Sequence, residues 1–440
     1  MKAFRAGVAA LLIAVSALCG AGSAMAGDLG DARAQHVVRN WYRLMLELVR
    51  HTPTYSPPVA SRSFAYVGVT AFEAVAGGSA QLQSLAGQLN GLAPAPQRPA
   101  GAHDDAVLLN AALTQVMENL FANTGPTGQR AMTAFGERLS AGAAAGVPDD
   151  VVARSRTHGA ALARHILDWS EADGGAVVEN MGFPAAYELT PGPAHWVPTS
   201  RIAQQQTPLL PQWGENRTLV MPDGAACPLP APPDYSEEPG SAFYDEAREV
   251  YDTVNSLTDE QRAVARFWSD DPMLSPTPPG HWLSIALQVL EQSEADLERD
   301  VDVLARVGVA LSDSFIACWN AKYAFDLVRP VTYIRRVIDP QFEPPLITPP
   351  FPEYPSGHST QSAAAASVLT DLFGADVAFE DATHAEDGLA PRSYASFREA
   401  AQEAGISRLY GGIHFRAAVE RGLDQGRCVG RYVNALRTRN

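Results

Sequence analysis

A helical hydrophobic period holds across most of this chain and breaks at one long proline-rich stretch. Apolar residues recur three and four apart in Trp41, Tyr42, Leu44, Leu46, Leu48 and Val49, and again from Ala106, Val107 and Leu108 to Leu120. That spacing lays an apolar stripe along an α-helix, and β-branched alternation is absent from residues 31–174. From about Gly175 to Gly240 the period disappears, and Pro184, Pro191, Pro193, Pro198, Pro208, Pro211, Pro222, Pro228, Pro230, Pro232 and Pro233 accumulate. Proline lacks the amide donor a helix interior needs, so this stretch reads as ordered loop or linker. Helical spacing returns over 241–264, 279–290, 295–328, 360–373, 394–404 and 413–436. The expectation is an all-α protein of two helical bundles, residues 27–174 and 241–440. The connection at 175–240 is either a lid over a site or a linker packed on the surface.

With 440 residues, 46% of them hydrophobic, the chain can bury a large core. Its start reads as a secretory signal: basic Lys2 and Arg5, an apolar run from Ala6 to Leu18, and Ser23-Ala24-Met25-Ala26 before Gly27. Residues 1–26 are therefore expected to be removed on export, to a periplasmic or secreted location. Leu18 stands where a lipid-anchor signal at Cys19 would need a small residue. No later stretch is apolar for long enough to span a membrane. Losing Lys2 and Arg5 moves the formal charge from −16 to about −18, an acidic balance that argues against nucleic acid and anionic membranes as partners. Cys227, Cys318 and Cys428 lie far apart, without zinc or thiol-redox spacing. One disulfide is allowed; Cys318 and Cys428 read as small residues of helix cores.

Against that acidic background, three clusters of anion-binding groups carry information. Lys322 and Arg329 bracket a helix expected to end before Pro330, and seven residues would put them on one face roughly 10 Å apart. Tyr354-Pro355-Ser356-Gly357-His358 runs straight into a helix from Thr360. Free amides at such a start, with a hydroxyl and an imidazole beside them, suit a tetrahedral anion. Ser407-Arg408-Leu-Tyr-Gly-Gly-Ile-His414 supplies a planar two-oxygen fork and a ring nitrogen able to bond a central atom, with Gly411 and Gly412 bending the chain before the helix that carries His414. Each alone is commonplace; together they hold the donors needed to surround a trigonal-bipyramidal oxyanion.

Lys-x6-Arg-Pro, Pro-Ser-Gly-His and Ser-Arg-x5-His, in this order, resemble the superfamily uniting type 2 phosphatidic acid phosphatases, bacterial acid phosphatases and vanadium-dependent haloperoxidases. Phe267-Trp268-Ser269-Asp270, Thr277-Pro-Pro-Gly-His281-Trp282, Trp319-Asn-Ala-Lys322-Tyr and Gly411-Gly-Ile-His414-Phe-Arg416 are similar to the haloperoxidase branch. The resemblance spans roughly residues 30–435. It implies a vanadate cofactor, with phosphate able to occupy the same site, held axially by His414. Lys322, Arg329, Arg408, Ser356 and the Gly357 amide would hold the equatorial oxygens, and His358 would be the apical acid–base. It further implies that Asp270 pairs with Arg408 and that Trp319 and Phe351 form a chloroperoxidase-like halide pocket. Hydrogen peroxide and halide would be the substrates, with Lys322 drawing charge from peroxide, and the metal would undergo no redox change. A homodimer is a further expectation of the resemblance.

Many relatives place an aspartate four residues after the axial histidine, where this chain has Ala418. Glu420 or a backbone carbonyl is the expected substitute, because a liganding histidine normally donates its other N–H. The same residues would also serve an exported acid phosphatase, His414 attacking phosphorus and His358 protonating the leaving oxygen. A non-enzymatic oxyanion-binding protein is a third reading, which any turnover by pure protein would dismiss.

Overall fold

The computed structural model describes residues 30–176, 187–199, 207–293 and 295–440. The expected signal sequence at 1–26 lies outside the described residues, as does Pro184. The observed fold is helical. In the first half, α1 covers residues 30–50, followed by α2 (Pro57–Ala76), α3 (Asp105–Leu120), α4 (Gly125–Ala144) and α5 (Asp149–Glu171). The second half holds α6 (Ala242–Asn255), α7 (Asp259–Phe267), α8 (Thr277–Gln292), α9 (Leu297–Phe325), α10 (Pro330–Val337), α11 (Gly357–Phe373), α12 (Phe397–Tyr410) and α13 (Arg416–Asn434). No described helix is long and apolar enough to cross a membrane.

Two stretches depart from the helical reading. Residues 77–104 form an irregular meander that buries Leu82, Leu85, Leu89 and Leu92. Its glycines at 87 and 91 take positive φ, and Pro94, Pro96 and Pro99 bar a helix. A two-stranded antiparallel hairpin, β1 (Phe379–Asp381) with β2 (Arg392–Tyr394), sits between α11 and α12. Three-residue strands are too short for their alternation to stand out in a sequence.

Helix α9 organises the molecule. Almost every residue from Leu297 to Trp319 is buried, because α9 packs against α2 on one side and α11 on another. The contact with α2 is close: a side chain at Gly68 would come within 2.9 Å of the Ala305 Cα, and one at Gly308 within 3.0 Å of the Phe64 carbonyl. One continuous apolar core consequently runs from Ala34 through α9 to Leu436. Helix α13 lies as tightly on α11, through Gly422, Gly426 and Gly430, spaced four apart on one face.

The proline-rich connection is tied down on the α9 side. Asp313 accepts backbone amides from Leu219, Val220 and Met221 at 2.6 to 3.1 Å. The Leu209 carbonyl accepts from Trp319 Nε1 and Tyr323 Oη. Cys428 is not the free core residue expected of it: it is bonded to Cys227, linking the connection to α13 across 201 residues, while Cys318 stays free and buried. Replacing Cys428 with alanine is expected to cost about 2 to 5 kcal/mol of unfolding free energy, as for native cross-links closing long loops. Denaturant unfolding of wild type and variant checks this.

Candidate functional site

The three clusters converge, though not on the backbone first inferred. Helix α9 ends at Phe325, where Asp326 adopts a left-handed conformation with φ of 47°. Arg329 lies beyond it as the N-cap of α10, with φ of −77° and ψ of 150°. Pro330 imposes this, since the residue before a proline is driven out of the helical region. Lys322 and Arg329 therefore do not share a helix face. Their charges meet instead over the Phe351 ring, 5.1 and 5.0 Å from its centroid.

Lys322 is buried, and its ammonium donates to the carbonyls of Pro352, Glu353 and Pro355 at 2.9, 2.9 and 2.5 Å. Burial, reinforced by the nearby Arg329 charge, pushes it down to about 7. Arg329 is also buried, donating to the Phe351 and Ile413 carbonyls, both at 2.9 Å. Arg408, on α12, donates Nη1 to the Trp268 carbonyl at 2.8 Å. Burial lowers both guanidinium groups to about 10.

Ser356 caps α11, its Oγ accepting from the Ser359 amide, and Gly357 opens the helix. The Gly357 and His358 amides fall among the first-turn donors that a helix leaves without internal acceptors. His358 stands one residue on, with Nε2 3.4 Å from Asp270 Oδ2. Burial, with the Arg408 charge beside it, pushes the imidazole down to about 4.

His414 is not on a helix. It occupies the turn after Gly412, whose φ is 73°, and precedes the α13 cap Phe415. Its Nδ1 lies 2.8 Å from Glu353 Oε1, which also accepts the Phe415 amide at 2.9 Å. An oxygen accepting that amide takes the proton of Nδ1 as well, so the lone pair belongs to Nε2, 3.2 Å from Arg329 Nη1. Burial and the charges of Arg329, Lys322 and Arg408 hold His414 well below the usual histidine range, so the ring is neutral. Burial raises Glu353 to about 8.

Glu353 is thus the partner sought in place of an acid at 418. Glu420 is excluded by position, its carboxylate standing 3.8 Å from Arg416 on α13. Ala418 is buried, and its carbonyl accepts the Ser356 amide at 3.0 Å. The available signal was an acid in the proline-rich run leading into Pro-Ser-Gly-His. Asp270 also departs from expectation, since among the described residues it forms no ion pair with Arg408. Its Oδ1 faces His281 Nδ1 at 2.9 Å and His384 Nε2 at 3.3 Å. The left-handed turn at Asp270, φ 49°, points the carboxylate into this histidine cluster.

Trp319 and Phe351 do form an aromatic wall, their ring centroids 4.9 Å apart. The Trp319 N–H is committed to the Leu209 carbonyl at 3.0 Å, so the wall is apolar.

The whole set fits an oxyanion. Arg329 Nη2 and Arg408 Nε are buried donors with no hydrogen-bond partner among the described residues, and the unprotonated His414 Nε2, which accepts from Arg329 Nη1, lies among three cations. Comparison with known proteins agrees. The structure superposes on the first bacterial vanadium-dependent iodoperoxidase with a TM-score of 0.83, at 36% identity over 93% of this chain and 97% of that one. The chain belongs to the vanadium-dependent haloperoxidase family. The family described as the VCPO second helical-bundle domain matches this haloperoxidase at residues 302–342 and 336–439. Two structures of bacterial vanadium-dependent chloroperoxidase, one holo-type and one apo-type, share its fold. The holo-type has a TM-score of 0.69 at 19% identity, covering 88% of this chain and 93% of its own. The apo-type has 0.65 at 18%, covering 87% and 94%. No curated protein matches the chain.

Glu353→Ala should leave Nδ1 of His414 without its acceptor and weaken vanadate binding by about 10- to 100-fold. Calorimetric titration of vanadate into the metal-free haloperoxidase measures this directly. Unchanged affinity would mean that another group orients His414.

Proposed function

We propose that this chain oxidises halide with hydrogen peroxide to hypohalous acid, using vanadate held by His414, Lys322, Arg329, Arg408, Ser356 and the Gly357 amide. The observation that carries this reading is kinship along nearly the whole chain with an iodoperoxidase, at 36% identity. The unpartnered donors of Arg329 and Arg408 support it from the site itself.

Vanadate, when bound, supplies an electrophilic centre that polarises peroxide without changing oxidation state. The protein supplies the rest. Neutral His414, with Nδ1 held by Glu353, would hold the vanadium through Nε2. The buried cations face the negative charge that develops as the peroxide O–O bond breaks, and preorganised donors of this kind contribute about 2.7 to 4 kcal/mol each. His358, neutral at ordinary pH, can take the proton that hydrogen peroxide gives up on binding. Halide is oxidised, peroxide is reduced, and one proton is consumed for each hypohalous acid formed.

The Trp319–Phe351 wall is proposed to border the halide, with Lys322 behind it. An exported location, periplasmic or secreted, is part of the same proposal and is supported by the Cys227–Cys428 disulfide, a bond that persists in oxidising compartments.

The deciding experiment is halogenation of a reporter by pure protein with peroxide and iodide, bromide or chloride, with and without vanadate, beside hydrolysis of a phosphate monoester. Vanadate-dependent halogenation is expected. Hydrolysis inhibited by vanadate, without halogenation, would make the chain an acid phosphatase. His414→Ala should abolish both vanadate binding and turnover, and retained activity would place the chemistry elsewhere. Phe351→His should lower chloride activity relative to bromide; an unchanged ratio would remove Phe351 from the halide pocket.

A further inference from the structure

His281 belongs neither to the anion-binding set nor to the aromatic wall, yet it is fully buried beside them. It stands in the first turns of α8, with Nδ1 2.9 Å from Asp270 Oδ1 and Nε2 2.8 Å from Asp381 Oδ2. Ionised carboxylates only accept hydrogen bonds, so a ring clasped by one on each side donates from both nitrogens and is an imidazolium. The two aspartates hold it charged against burial, raising it to about 10. Burial alone would protonate Asp270, but the His281 charge, the hydrogen bonds from His281 and His384, and the nearby His358 ring hold it well below the carboxylate range.

The surroundings close this cluster. Trp268 stacks on the His281 ring at 4.3 Å, and Phe267 meets His281 and His384 edge-on. His384, after β1, reaches Asp270 Oδ1 at 3.3 Å and Asp387 Oδ2 at 3.1 Å, and Arg50 pairs with Asp387 beyond it. Behind Trp268, Glu403 accepts its indole N–H and is held by Arg392. Arg408 and Asp271 lie on the active-site side. Asp270 Oδ1 is thereby filled by two histidines, while Oδ2, without a hydrogen-bond partner among the described residues, faces His358 Nε2 at 3.4 Å.

We propose that His281 is a positioning residue for proton transfer at His358: its charge, clasped between Asp270 and Asp381, keeps Asp270 ionised and turned toward His358 Nε2. That carboxylate selects the tautomer protonated at Nε2 and leaves Nδ1 of His358 as the atom that exchanges protons with substrate. The proposal rests on the haloperoxidase reading of His358. His281 Nδ1, His384 Nε2 and Asp270 Oδ1 also lie within 4.8 Å of one another, a spacing open to a divalent cation. Both nitrogens converge on one oxygen at hydrogen-bond distance instead of surrounding a centre, which favours protons.

The test begins with ¹⁵N imidazole spectra of the full chain without vanadate. The His281 signals, assigned by their loss in His281→Gln, should show both nitrogens protonated from about pH 5 to 8, well above the ordinary histidine value, and His358 should carry its proton on Nε2. A His281 ring with a bare nitrogen, the opposite His358 tautomer, or a stoichiometric divalent ion found by elemental analysis would each overturn the proposal. The second arm uses His281→Gln and Asp381→Asn, each checked for fold by circular dichroism. Freed from the imidazolium, Asp270 takes up protons more readily. The acid limb of kcat should therefore move up by about one unit in His281→Gln and less in Asp381→Asn. On the acid limb itself, kcat in His281→Gln should fall toward 10-fold below wild type at the same pH, with KM for peroxide and halide unchanged. Folded variants with an unshifted pH profile would reduce His281 to a structural residue and sink the idea. If wild type oxidises no halide, the functional reading fails, while the spectra still decide the charge at His281.

Discussion

Three buried cations that form no salt bridge with a carboxylate among the described residues set the terms for the rest of this structure. Removing an ion from water costs several kcal/mol even after relaxation. Lys322 meets that cost with three backbone carbonyls, Arg329 with two and Arg408 with one. Carbonyl dipoles compensate only in part, and buried guanidinium nitrogens remain bare. An oxyanion completes the balance, so affinity for one follows from how the core is built. Of the nearby acids, Glu353 is engaged by His414 and the Phe415 amide and Asp270 by histidines, while Asp271 lies near Arg408 and offsets part of its charge.

The site therefore has two electrically opposite compartments side by side. Lys322, Arg329 and Arg408 make one positive, while Asp270 and Asp381 enclose His281 in the other. His358 stands between them, lowered by Arg408 and raised by Asp270. A chain with a net charge of −16 gains a cationic pocket this way.

Much of this was legible in the sequence where chemistry is local. Ser356-Gly357-His358 is a cap followed by a helix, and the cap rule alone places its amides. The helical period and its break at the prolines likewise follow from short-range geometry, and within 207–240 the described helical structure is a single 3₁₀ turn. What escaped depended on contacts between distant segments. Glu353 reaches His414 across 61 positions, Asp381 reaches His281 across 100, and Cys227 joins Cys428 across 201. No periodicity announces such pairs. The misplacement of Arg329 on the helix of Lys322 has a different origin, because Pro330 and the left-handed Asp326 end that helix earlier than its apolar period does.

The glycine face of α13 has a mechanical consequence. A side chain at Gly422 would come within 2.8 Å of the Ser356 carbonyl and 2.7 Å of the Ser359 Cβ, the very turn that presents the anion-binding amides. Bulk added there cannot be absorbed locally, because both neighbours are helices packed in a dense interior. It must instead translate the start of α11, and a displacement of about 1 Å at a reacting centre can cost 10²-fold in rate. The spacing between two helix axes thus acts as the gauge of the active site, and residues that touch no substrate keep it calibrated.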